Sequence, residues 1–150
     1  MRHYSIYLLS EDVANDYFGK EPLLYQLFSD YERTKMVESE LLQRQVDYIT
    51  LPVSVVELNY KLQKELKRYR GNSYSYDSHV HSLTLRRAGG TSQAQLSLFS
   101  SFIILNAKGS YEAETIFFEI LRKYKSTFLA MDFDSERFGW LNPIKQQNFI

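Results

Sequence analysis

Residues 79–106, HVHSLTLRRAGGTSQAQLSLFSSFIILN, carry the reading that decides the fold. Val, Leu, Thr, Phe and Ile dominate 79–87 and 94–106, and Gly89-Gly90-Thr91 separates the two runs. Short β-prone runs broken by turn residues read as strands of a hairpin. The loop reads as longer than the tightest, two-residue type. Between 96 and 105 apolar residues fall on both parities, which a single alternating strand does not allow. A bulge near Ser100-Ser101 is the expected cause.

Towards the N-terminus the period changes to that of helices. Residues 54–69 place Val55, Leu58, Leu62 and Leu66 in one stripe, with Glu57 four residues before Lys61. Gly71-Asn72 breaks this helix. A helix over 37–49 carries Leu41, Leu42, Val46 and Ile49, and Pro52 closes it. Before it, Leu23, Leu24, Leu27, Phe28 and Tyr31 recur at helical spacing behind Pro22, a residue suited to a first turn. A short helix over 11–18 follows Ser10 as N-cap and stops at Gly19. The chain opens on HYSIYLL (3–9), a β-prone run.

Towards the C-terminus, Gly109-Ser110 leads into a helix with Ala113, Ile116, Phe117, Ile120, Leu121 and Tyr124 on one broad face. Ser110 is its expected cap, with Glu112 and Glu114 in the first turn. TFLAMDF (127–133) reads as a final strand. The tail, 134–150, holds Phe138, Trp140, Leu141, Ile144, Phe149 and Ile150, too much apolar surface to stay in water, so it is expected to pack back. The order predicts an α+β fold, a single domain over 1–150 with a mostly antiparallel sheet and several helices.

Bulk properties narrow the function. At 150 residues and 44% hydrophobic content the chain can bury a core. Twelve Tyr and 10 Phe fit either a Tyr-rich core or an aromatic recognition surface. Eighteen basic residues balance 18 acidic ones, whereas proteins that bind the phosphate backbone usually carry a basic excess. No direct nucleic-acid partner is therefore expected. The absence of Cys excludes disulfides and thiolate chemistry. The N-terminus lacks a signal-peptide core and no apolar run approaches a membrane span, so a cytoplasmic protein without a membrane partner is expected.

Three constellations are candidates for chemistry. His79 and His81, at i,i+2 on a strand, would point the same way and share a metal, the basis of an alternative reading as a small metal-dependent enzyme. They share parity with Leu83 and Leu85, however, and no third ligand stands at useful spacing, which favours hydrogen-bonded structural histidines. Asp132 and Asp134 flank Phe133 as a potential carboxylate pair, against which stands a turn capped by Asp134-Ser135. The cations of KLQKELKRYR (61–70) would form a phosphate patch of a nucleic-acid regulator, but they interleave with Leu62, Leu66 and Tyr69, as on a solvated amphipathic helix, and the zero net charge opposes the first reading. The chain has no GxGxxG, GxxxxGK or GxSxG pattern. No cofactor is expected, and the chain reads as a binding protein, not an enzyme.

Several stretches resemble one family. GSYEAETIFFEIL (109–121) and FLAMDFDSERFGWLNPIKQQNF (128–149) are similar to the sporulation inhibitor of replication family, SirA. RHYSIYLL (2–9), VANDYFGKE (13–21) and QVDYIT (45–50) resemble it too, while the middle, roughly 52–108, matches poorly. The resemblance implies a protein that binds domain I of the replication initiator DnaA and blocks new rounds of chromosome replication during commitment to sporulation. It implies partner-binding roles for Val13, Tyr17, Gln45 and Tyr48. Where this chain has Val13 the family has an aromatic residue, so the anchor here is smaller. The spacing suits such a role, since Val13 and Tyr17 are i,i+4 and Gln45 and Tyr48 are i,i+3. The competing reading makes Tyr17 and Tyr48 core aromatics.

Overall fold

Strand pairing in the computed structural model, which describes residues 1–35, 39–69 and 73–143, follows from where each run can bury its side chains. The first strand, β1 (Arg2–Leu9), lies inside one antiparallel sheet. Three helices follow: α1 (Glu11–Asp16), α2 (Glu21–Thr34) and α3 (Glu40–Ile49). The two-residue β2 (Thr50–Leu51) returns to β1, and α4 (Val55–Leu66) comes next. A meander of β3 (Tyr74–Asp77), β4 (Val80–Arg87), β5 (Gly90–Leu98) and β6 (Ile103–Gly109) precedes α5 (Glu112–Tyr124). The hairpin β7 (Phe128–Asp132) and β8 (Arg137–Trp140) completes the order β3-β4-β5-β6-β1-β7-β8, with β2 beside the end of β1. The class is the expected α+β with an antiparallel sheet.

Two apolar clusters lie on opposite faces of this sheet. On one, Leu58, Leu62 and Leu66 of α4 and Phe117 and Leu121 of α5 pack with Ile6, Leu8, Leu83, Leu96, Leu105 and Phe128. On the other, Leu24 and Phe28 of α2 and Val46 of α3 pack with Tyr7, Leu9, Leu129 and Met131. Neighbouring residues of β1 and of β7 thus enter different clusters. A strand covered on both faces needs apolar residues at every position, which is why SIYLL and TFLAM show no alternation. Strands β4, β5 and β6 are buried on one parity, at 81, 83 and 85, at 92, 94, 96 and 98, and at 103, 105 and 107.

The expected bulge near Ser100-Ser101 is instead a chain reversal. Leu98 pairs with Ile103, so 94–106 belongs to two strands and the two serines lie at a hairpin tip. The Phe99 amide bonds to the Phe102 carbonyl at 3.0 Å and the two rings stack at 4.9 Å. The parity changes because the direction changes. The preceding hairpin is tighter than expected: Arg87 pairs with Gly90, leaving only Ala88-Gly89 between the strands. Strands β2, β3 and β8 had no signal of their own; each is four residues or shorter.

Serine caps close the N-termini of α1, α3 and α4, whereas Lys20 before α2 and Tyr111 before α5 make no side-chain cap. The hydroxyls of Ser10, Ser39 and Ser54 accept the amides of Val13, Leu42 and Glu57. The helix expected over 37–49 starts at Glu40; residues 37 and 38 lie outside the described residues, as do Gly71-Asn72. The helix expected over 11–18 ends at Asp16, with Gly19 at φ +79° just beyond. Ser110 does not cap α5. The Ser92 hydroxyl, from β5, accepts the Ala113 amide at 2.8 Å and donates to the Ser110 carbonyl at 2.6 Å. In the tail, Phe138 and Trp140 lie on β8 and the Leu141 amide bonds to the Phe128 carbonyl at 3.0 Å; Ile144, Phe149 and Ile150 lie outside the described residues.

The entry to α5 leaves no room for a side chain. Gly109 has φ +81°, and a Cβ there would stand 1.9 Å from the Thr91 carbonyl oxygen. Gly109→Ala is expected to lower stability by more than about 2 kcal/mol, since both the φ and the backbone clash oppose it. Ser92→Ala is expected to cost about 1–2 kcal/mol through the orphaned α5 amide. Urea melts of both variants check these values.

Candidate partner-binding site

The four residues implied as partner-facing sit on α1, on its cap and on α3. Val13 lies in α1, and Tyr17 is its C-cap, its amide bonding the Val13 carbonyl at 3.0 Å. Both are half-buried and pack against the cluster formed by Tyr7, Leu24, Phe28 and Val46. Gln45 and Tyr48 lie on α3 and are exposed, Tyr48 to 88%. The end of α3 is fastened to the start of α1: Leu9 pairs with Thr50, and the Ser10 amide bonds the Ile49 carbonyl at 3.4 Å. The carboxylates of Glu11, Asp12 and Asp16 stand exposed on α1. Glu11 and Asp12 also favour the positive end of that helix.

The core reading therefore divides the two tyrosines. Tyr48 is not a core residue, because its ring lies almost wholly in solvent. Tyr17 is partly one, since it packs on the second cluster. Periodicity missed the difference because α3 buries only Val46 fully, with Ile49 half-covered.

His79 and His81 are not brought together as ligands. β4 starts at Val80, and His79 lies in the two-residue turn Ser78-His79 that joins it to β3, where Ser78 takes φ +59°. His79 packs edge-on against Phe99 at 5.6 Å. His81 is fully buried and both ring nitrogens are engaged: Nδ1 with the Tyr74 hydroxyl at 2.7 Å, Nε2 with Asn59 Oδ1 at 2.5 Å. The Asn59 amide nitrogen donates to the Ser78 carbonyl at 3.1 Å, which fixes the carbonyl oxygen towards His81. Nε2 therefore carries the proton, and Nδ1 accepts from Tyr74. Burial, with a smaller repulsion from His79, pushes the His81 pKa from 6.5 down to about 4. Among the described residues no three His, Cys, Asp or Glu side chains are grouped to hold a metal ion.

The Asp132 and Asp134 pair also separates. Asp132 is buried and accepts from the Ser135 amide at 3.2 Å and from Arg137 at 3.3 Å. Burial alone would raise its pKa, but these bonds outweigh it and the net shift is downward. Asp134 is exposed in the turn. Asp132, not Asp134, is the residue that caps the turn. On α4, which ends at Leu66, Leu62 and Leu66 are buried while Lys64 faces solvent, as do Lys67 and Arg68 just beyond it; Arg70 lies outside the described residues. No helix of the described residues is long and apolar enough to cross a membrane.

Two outcomes follow for stability. Tyr48→Ala is expected to change stability by less than about 0.5 kcal/mol, and Tyr17→Ala to cost about 1–2 kcal/mol, as thermal melts would report. For His81, the unfolded chain binds more protons than the folded one between pH 4 and 6.5, so stability falls on acidification through that window. The loss approaches about 3 kcal/mol at the lower end. His81→Gln should flatten the pH dependence in urea melts between about pH 5 and 6.5.

Comparison with known proteins accords with the residues quoted above. The family described as sporulation inhibitor of replication protein SirA matches residues 2–145. A protein of Bacillus subtilis (strain 168) named sporulation inhibitor of replication protein SirA is 40% identical over 151 residues, covering 99% of this chain and 99% of that protein. The match spans the sheet, both clusters and the α1–α3 face alike, and the chain belongs to the SirA family of sporulation inhibitors of replication.

Proposed function

We propose that this chain inhibits chromosome replication during sporulation by binding domain I of the initiator DnaA through the face built by α1 and α3. The coarse part rests on family membership and on the name of the B. subtilis relative, an inhibitor of replication in sporulation. The finer part, the partner and its footprint, rests on one observation above others: a Tyr ring 88% exposed at the end of α3, beside the start of α1. Exposed aromatic rings of this kind carry much of the binding energy in protein interfaces. The role needs no catalysis, because occupying a surface that initiator molecules use is enough to block them. Such a protein works in the cytoplasm, where the chromosome lies.

The four residues divide the work by their burial. Tyr48 and Gln45 offer a ring and an amide free to meet a partner. Tyr17 and Val13 present only their outer edges, and their inner edges hold α1 on the sheet. Val13 supplies less area than an aromatic residue, so Tyr17 and Tyr48 are the principal anchors.

Titration calorimetry of the purified chain with purified DnaA domain I tests the reading. A one-to-one complex is expected, weakened at least tenfold by Tyr48→Ala with the melting temperature unchanged. Absence of a complex would overturn the proposed partner, and full-strength binding by Tyr17→Ala and Tyr48→Ala would overturn the face. In cells of a spore-former, expression during growth should lower the ratio of origin to terminus DNA.

A further inference from the structure

The stripe of α3 that holds Gln45 and Tyr48 continues to the first turn of the helix, where it carries Leu41. Positions 41, 45 and 48 follow the i, i+4, i+7 pattern and share one side of a helix. All three are exposed, Leu41 to 67%. The inward stripe is different: Val46 and Ile49 pack in the cluster formed with α2 and the sheet, and Val46 is fully covered. An exposed Leu in the first turn contributes nothing to that packing.

The other flank of α3 is already engaged. The Tyr31 hydroxyl of α2 donates to Gln43 Oε1 at 2.8 Å, and Gln43 Nε2 donates to Asp47 at 2.8 Å. Residues two apart on a helix lie about 200° apart around its axis. Gln43 therefore faces α2, while Gln45, and with it Leu41 and Tyr48, lies on the flank turned away from α2. That flank is the one continuous with Gln45 and Tyr48, so whatever partner covers those two meets Leu41 next. A single exposed Leu needs no explanation by itself. One in line with an exposed Tyr and an exposed amide has the anchor pattern of a helix laid into a groove.

We infer that Leu41 is a third anchor of the partner-binding face and inserts into an apolar groove of the partner about 10 Å from the site of Tyr48, two turns along α3. The inference rests on the proposed function, with DnaA domain I as the partner, and names a residue that neither the resemblance nor the comparisons assign. The partner's groove must then run along α3 rather than contact its end alone.

Leu41→Ala and Leu41→Met, both good helix formers, are to be titrated into DnaA domain I beside the unaltered chain. Val56→Ala, at an 81% exposed position on α4, serves as control. Leu41→Ala is expected to bind about tenfold more weakly with an unchanged melting temperature, Leu41→Met to bind close to normally, and the control to bind normally. Normal binding by Leu41→Ala, when the unaltered chain binds, would overturn the third anchor and leave the proposed function standing. Loss of binding in the Val56→Ala control as well would also overturn it. No binding by the unaltered chain would overturn the proposed function and the anchor with it.

Discussion

Burial of β1 on both faces organises both helical layers. Ile6 and Leu8 enter one cluster, Tyr7 and Leu9 the other, and all four are buried. A strand in that position cannot satisfy itself with one layer of helices. It needs α4 and α5 on one side and α1 to α3 on the other, and it needs β7 as a neighbour with the same two-sided chemistry. Phe128 to Met131 provide it, in register from Ser5↔Met131 to Leu8↔Phe128. The end of β1 also fixes the proposed face. Leu9 pairs with Thr50, and Ser10 both bonds Ile49 and caps α1, so the strand places α1 and α3 against one another.

The two layers pack on the sheet differently. The α4–α5 layer is apolar towards the sheet and is tied by polar contacts at its margin, such as the Tyr124 hydroxyl on Glu57 at 2.7 Å and the Arg2 pair with the buried Glu114. The layer of α1, α2 and α3 contributes the smaller apolar cluster and, like α4 with Val56 and Tyr60, leaves large side chains outside it. Leu41 and Tyr48 are exposed there at little cost to the fold, because each helix already buries another stripe. A surface that binds by its side chains requires this separation, since anchors spent on the core are not available to a partner. Tyr17 is the intermediate case, half-buried against the second cluster.

Polar groups of the interior are hydrogen-bonded to one another. His81, Asn59 and Tyr74 form one satisfied chain of hydrogen bonds, ending on the carbonyl of Ser78 in its left-handed turn. Asp132 with Ser135 and Arg137 performs the corresponding task in the β7–β8 turn. Both groups resemble reactive constellations when only spacing is considered. In three dimensions the ring nitrogens of His81 and the carboxylate of Asp132 are taken up by neighbours.

Much of the fold was legible in local chemistry. Helical stripes, serine caps and β-prone runs arise from contacts within a few residues, so the five helices and the long strands are readable along the chain. The short strands β2, β3 and β8 were not, because they exist by pairing with distant partners and carry no periodicity of their own. The reversal at Ser100-Ser101 imitated a bulge, since both shift the parity of burial and only the pairing of Leu98 with Ile103 distinguishes them. The cap of α5 came from Ser92, 21 residues away from the amide it accepts. As for the site, resemblance to a family supplied Val13, Tyr17, Gln45 and Tyr48, and helix spacing agreed. Which of them face water was decided only by the packing of α3 against α2 and the sheet. Local sequence was enough for the helices, the long strands and the family; the tertiary structure decided the short strands and what each side chain touches, because pairing and exposure depend on contacts between residues far apart in the chain.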